Sequence, residues 1–204
     1  GVFLSDFDTA STAQREFLVP PGAYVPPGFI QTEQTYYKIE QKNLAGFAGL
    51  DQPLAPKTLL KLGLRLEQNE SSIDRTKVSS NNFRFPTPPD PRLVRDQSGN
   101  QVSASVSLQH SLSSNVNLMF RSALGKKPEG YSGFTSNPNL ARFGNERQWS
   151  NEVGITFGDA RSRFGGSLVG YWATIKDYQF ERTVPNSTDY VVVNAKEVSS
   201  RGIE

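Results

Sequence analysis

The stretch from Thr58 to Gln68 reads TLLKLGLRLEQ. Leu60, Leu62, Leu64 and Leu66 alternate with Lys61, Gly63 and Arg65, and Glu67 follows. A period of two makes this a strand with one apolar face and one charged face. In a soluble sheet the leucines would turn toward a core and the charges toward water. In a membrane barrel the leucines would face lipid and the charges would line a wet lumen. Alternation alone fits both arrangements.

Composition narrows the classes. The chain has 204 residues, with 22 Lys plus Arg against 20 Asp plus Glu and a net charge of +2. That balance implies no strong pull toward nucleic acid. Hydrophobic residues make up 36%, and no apolar run approaches the roughly 18–20 residues of a membrane helix. A helical membrane protein is excluded, whereas barrel strands conceal their hydrophobicity by alternation. Cysteine is absent, so no disulfide framework or thiolate metal site is available. Gly1-Val2-Phe3-Leu4 reads as a strand in progress, and Arg201-Gly202-Ile203-Glu204 as a strand being entered. Both ends are expected to be cuts in a longer protein.

Strands are expected at about 1–7, 31–50, 57–69, 101–110, 115–124, 147–158, 163–180 and 190–204, with ends good to about two to four residues. Val102, Ala104, Val106 and Leu108 alternate with serines and Gln109, Leu118 and Phe120 with Met119 and Arg121, and Val153, Ile155 and Phe157 with Glu152, Gly154 and Thr156. The connections at 51–56, 111–114 and 159–162 read as short. Those at 8–30, 70–100, 125–146 and 181–189 read as long. In an up-and-down meander the two kinds fall at opposite rims. Outer-membrane barrels sort their short and long connections this way, and a soluble sandwich has no reason to. The fold class is therefore all-β, an antiparallel meander forming part of a transmembrane barrel. The long connections carry prolines and aromatics, among them Pro20, Pro21, Tyr24, Phe83, Phe85, Pro88 and Pro89.

Several stretches resemble one family, the TonB-dependent outer-membrane receptors. Leu59–Glu67 resembles the family's "lt-GlRyE" strand, after a strand here reading Leu44-Ala45-Gly46-Phe47-Ala48-Gly49-Leu50. Arg121–Tyr131 is similar to "sr-gfkpggf", Asn145–Gly154 to "pE-s-nyElG", Tyr171–Gln179 to "aFy-dykdq", and Asn194–Glu204 to "Nag-a-s-GvEle". They follow the family's order across residues 44–204. The resemblance implies a barrel of about twenty-two strands. Residues 1–204 would be a middle-to-late segment of roughly eight strands, without the plug domain or the terminal strand. It also implies a bacterial outer-membrane location and uptake of a scarce nutrient, a ferric siderophore first. The partners would be outer-membrane lipid, a small-molecule ligand such as a ferric chelate, and the TonB complex acting through the plug region. Cofactors, nucleic acid and catalysis are not part of that picture. The rival readings are a passive porin-like barrel and a soluble β-sandwich that binds carbohydrate, which would bury the leucines of 58–68 against a second sheet.

Residues can be assigned on this basis. His110 is the only histidine, with no nucleophile elbow near it, and reads as an ordinary polar residue beside a turn. Lys126, Lys127, Tyr131, Phe134, Arg142 and Phe143 share a glycine-rich connection. In a receptor they would face outward toward an anionic, aromatic ligand through charge and cation–π contacts. Lys61, Arg65, Glu67, Arg121, Glu152 and Lys176 are assigned to the lumen. Leu60, Leu62, Leu64, Leu66, Val102, Val106, Leu108, Leu118, Phe120, Val153 and Ile155 are assigned to lipid. In strand 163–180 the set Val169, Tyr171, Ala173 and Ile175 is expected to face lipid. Trp149, Phe157, Phe164, Tyr171, Trp172 and Tyr178 are read as interfacial girdle residues.

Overall fold

A computed structural model describes residues 1–18, 25–87, 90–135, 137–158, 164–185 and 189–204. Its ten strands are β1 (Val2–Leu18), β2 (Ile30–Ala55), β3 (Thr58–Asn81), β4 (Leu93–Ser113), β5 (Val116–Lys127), β6 (Gly130–Tyr131), β7 (Arg142–Phe143), β8 (Glu146–Phe157), β9 (Gly166–Thr183) and β10 (Tyr190–Ile203). Eight form one sheet in the order β1-β2-β3-β4-β5-β8-β9-β10, and β6 and β7 form a separate two-stranded ribbon. Every pairing is antiparallel. This is the expected all-β meander.

The register decides which residues share a face. Leu60 pairs with Leu108, Leu62 with Val106 and Leu66 with Val102. Leu108 continues to Phe120, Phe120 to Val153 and Leu118 to Ile155. All eleven residues assigned to lipid therefore lie on one contiguous face. On the other face Lys61 pairs with Ser107, Arg65 with Ser103 and Glu67 with Gln101, and Arg121 pairs with Glu152. Among the described residues nothing covers the leucine face: Leu62, Leu64 and Leu66 are 41%, 47% and 54% exposed. The buried cluster of Ile73, Leu93, Tyr131 and Ala141 lies instead on the polar side, because Ile73 shares the parity of Lys61, Arg65 and Glu67 along β3. A sandwich would place its core on the leucine side, so that rival fails.

Three expectations are corrected. First, the strands run much further than the apolar alternation. β1 continues to Leu18, β2 starts at Ile30, β3 reaches Asn81 and β4 starts at Leu93, so much of the connections read at 8–30 and 70–100 is ladder. Past Gln68 both faces of β3 turn polar, and the alternation that marks a strand in sequence disappears while the backbone pairing persists. Second, the sorting of connections holds only in part. Pro56 and Lys57 alone join β2 to β3, and Ser114 and Asn115 join β4 to β5, but β8 and β9 are separated by 158–165 and β9 and β10 by 184–189. The expected turn at 159–162 lies outside the described residues, as do Pro20, Pro21, Tyr24, Pro88 and Pro89. Pro53 stays within β2, beside a register shift between Pro53 and Ala55, the position a strand proline tolerates.

Third, β9 presents the opposite face from the one expected. Leu168 pairs with Ile155 and Trp172 with Asn151, so Leu168, Gly170 and Trp172 join the leucine face. Val169 pairs with Gly154 and Tyr171 with Glu152, placing the Val169 set with the charged residues. Tyr171 accordingly leaves the girdle. Lys176 pairs with Arg147 and lies on the leucine face, not with Lys61 and Arg65. Short apolar runs on both parities of β9 made its face unreadable without the partner strand.

Placing Arg at the midplane of a lipid-facing surface costs about 2–4 kcal/mol. Leu64→Arg in the full-length chain is expected to lower unfolding stability in a bilayer by about that amount. Ser105→Arg, on the other face of the neighbouring strand, is expected to change it by less than about 1 kcal/mol. Denaturant titration of both variants checks the difference.

Candidate functional site

The connection between β5 and β8 holds the site. It carries the β6–β7 ribbon and folds onto the polar face. At one side Arg75 of β3 donates from Nε to the Gly133 carbonyl at 3.1 Å, and Phe134 meets Tyr37 of β2 edge-on at 5.1 Å. At the other, the Val192 amide of β10 donates to Ser132 Oγ at 2.8 Å, and Thr135 donates to Asp189 Oδ2 at 3.0 Å. Gln179 of β9 holds the base of the loop, donating to the Pro128 and Gly144 carbonyls at 2.7 and 2.9 Å. Strands far apart in sheet order thus grip one loop, so the polar face is the concave one and the loop fills its upper part.

Gly133 lets the loop come this close to the Tyr37 ring, and Gly99 lies under the movable carboxylate of Glu129. A Cβ on Gly133 would lie 2.9 Å from the Tyr37 ring, and one on Gly99 of β4 would lie 2.2 Å from Glu129 Oε1. Arg15 of β1 spans the gap between sheet and loop. Its guanidinium lies 5.5 Å from the Phe134 ring centre and 5.3 Å from that of Tyr190, within cation–π range. Around this point Lys77 is paired with Glu33 at 2.9 Å and with Asp90 at 3.7 Å. The result is a mixed aromatic and charged chamber on the concave side.

The six residues expected to form an outward ligand surface are divided. Tyr131 is buried in the apolar cluster, and burial raises its phenol pKa. Phe134 is half-buried against Tyr37, Phe143 is half-buried, and Arg142 is exposed. Lys127 pairs with Glu146 on the concave side, whereas Lys126 pairs with Arg147 on the leucine face. The connection therefore turns inward, not outward. The lumen assignments fall together: Lys61 is 3.5 Å from Asp51 and Arg65 is 2.7 Å from Glu67, with the Arg65 guanidinium 5.3 Å from the Phe3 ring centre. His110 shares a hydrogen bond of 2.9 Å with Thr58, an ordinary structural use. Sequence reasoning missed Arg15, Tyr37, Arg75 and Asp189. Arg75 was reachable by continuing the parity of Lys61 through Ile73 into the polar part of β3.

Two outcomes follow from this packing. Gly133→Val forces the loop off Tyr37 and is expected to destabilise it by about 1–3 kcal/mol, seen as faster amide hydrogen exchange at 130–135 with the sheet unchanged. Tyr131 stays protonated above the ordinary tyrosine range of about pH 10, while in the unfolded chain it ionises there. The folded state then holds the extra proton, so loop stability falls as pH rises past about 10. Tyr131→Phe is expected to flatten that part of the exchange profile.

The family described as TonB dependent receptor-like, beta-barrel, matches residues 2–204. No curated protein matches the sequence. Among solved structures, the ferric yersiniabactin uptake receptor FyuA from Yersinia pestis is similar, with a TM-score of 0.64 at 15% identity, covering 99% of this chain and 33% of its own. The ferric-catecholate import receptor Fiu from K12 E. coli gives 0.61 at 13% identity, covering 99% and 34%. The Serratia marcescens hemophore receptor HasR, in a complex with HasA and heme, gives 0.58 at 13%, covering 99% and 39%. At these identities the likeness is one of fold, and the chain spans about a third of the FyuA structure. Its whole described length nevertheless carries the family's pattern on the family's architecture, and the chain belongs to the TonB-dependent receptor β-barrel family.

Proposed function

We propose that residues 1–204 are wall strands of an energised outer-membrane importer, with a ferric siderophore as its cargo. In this reading the leucine face contacts lipid, and Lys61, Arg65, Glu67, Arg121 and Glu152 line the lumen beside a plug region carried elsewhere in the full protein. The TonB complex acts on that plug, and the cargo passes along the wall. The observation that carries the reading is the loop folded across the concave face, which supplies Phe134 together with Arg15, Tyr37 and Tyr190. Lys127, at the end of β5, and Arg142 and Phe143, on the ribbon, belong to the same connection or its root. Aromatic rings and cations suit a chelate that is anionic and rich in aromatic rings. The uptake of ferric chelates by FyuA and Fiu supports the same cargo class.

A porin-like channel would let solute through without energy input. In cells carrying the full-length protein, uptake of a ferric catecholate is expected to stop when TonB is removed, while binding persists. Uptake that continues without TonB rejects the importer reading. Phe134→Ala is expected to weaken binding of the chelate by about 3- to 30-fold, the range of one aromatic or cation–π contact. Titration calorimetry with the iron-loaded and iron-free chelate measures it.

A further inference from the structure

The outer end of the leucine face carries three cations in one cross-strand row. Lys126 of β5 pairs with Arg147 of β8, and Arg147 pairs with Lys176 of β9. Directly opposed side chains stand about 4.5–5.5 Å apart at Cβ, and like charges so placed repel. The nearby carboxylates offset this only in part. Asp177 lies 3.3 Å from Arg147, and Glu197 stands across from Lys176. Neither Lys126 nor Lys176 has an ion pair among the described residues. One step toward the membrane on the same face lie Leu124 and Trp149. Trp149 is 58% exposed, with its indole N–H held by Ser122 Oγ at 2.9 Å. An exposed tryptophan at the limit of an apolar face marks headgroup depth, so the cations stand where lipid phosphates would be.

We infer that Lys126, Arg147 and Lys176 form a docking site for the phosphate headgroup of a membrane lipid, whose acyl chains lie along Leu124 and Trp149. Charge complementarity and continuity with the apolar face name the occupant. A phosphate reaching two adjacent cations relieves their repulsion through charge-assisted hydrogen bonds, and the uncovered apolar surface below accepts the chains. This rests on the lipid-facing reading of the leucine face. It also removes Lys126 from the cargo chamber and gives it a separate task.

The test uses the full-length receptor in nanodiscs of phosphatidylcholine, with or without a few per cent phosphatidic acid. Lipid retained after mild detergent extraction is counted by native mass spectrometry. The receptor is expected to retain phosphatidic acid preferentially, and K126Q/R147Q/K176Q to retain on the order of tenfold less. Lys126→Gln alone gives a smaller loss in the same direction and serves if the triple variant does not insert. Equal retention of both lipids by the native receptor, or undiminished retention by inserted variants, overturns the site. Brominated acyl chains provide the separating readout. If they fail to quench Trp149, judged against Trp149→Phe, the lipid-facing reading itself falls. Quenching without phosphate preference sinks only the docking site.

Discussion

A strand that crosses lipid has to satisfy its backbone hydrogen bonds through neighbouring strands, since hydrocarbon supplies no partners. That requirement fixes the pleat, and the pleat fixes a side-chain period of two. From β1 to β10 the register is unbroken through the apolar part of the sheet, and shifts occur only beside the short turns, at Pro53/Ala55 and Ser111/Ser113. A slip of β3 by one residue would carry Lys61 and Arg65 to the leucine face, and a slip of β5 would carry Arg121 there. With that face in lipid, each would cost about 2–4 kcal/mol near the midplane. The pairing of Leu62 with Val106 and of Phe120 with Val153 therefore holds the wall in register and keeps the apolar face apart from the charged one.

The inward loop depends on the same parity. Only residues on the Lys61 side of β3 can reach it, and Ile73 and Arg75 do. Its apolar cluster is small, so polar contacts at Gly133, Ser132, Thr135 and Gln179 complete its attachment. Because those contacts come from β3 at one side and from β9 and β10 at the other, the loop ties distant parts of the wall together. Glycine at 133, against the Tyr37 ring, is what allows so close an approach. The chamber it forms is bordered by Arg15, Tyr37 and Tyr190, groups drawn from strands that are far apart in sequence.

The apolar half of the sheet was legible because alternation there is strict: the eleven residues from Leu60 to Ile155 share one face. The strands beyond it were not legible. Residues 69–81 are mostly polar on both faces, and a ladder made of Asn, Ser, Asp and Lys leaves no periodic apolar trace. β9 misled for another reason, since Leu168 and Val169 compete for the same face until β8 fixes the choice. The loop was recognised as special from its glycines, lysines and aromatics, but its direction was not. That depends on Arg75, Tyr37 and Val192, none of which lies near it in sequence.

The long ladders of β2 and β3 also set a distance. From Gln68 to Asn81 the chain stays extended beyond the apolar face. At about 3.3 Å per residue and a tilt of about 35–45°, this raises the rim by roughly 30 Å above the apolar face. The Debye length in physiological salt is about 8 Å. The entrance therefore stands several screening lengths above any anionic headgroups. At that level Lys77 is neutralised by Glu33 and Asp90 and Arg75 is buried, so the charges there are set by short-range pairing within the protein. On the importer reading, the long ladders set the electrostatics of the entrance apart from those of the bilayer beneath.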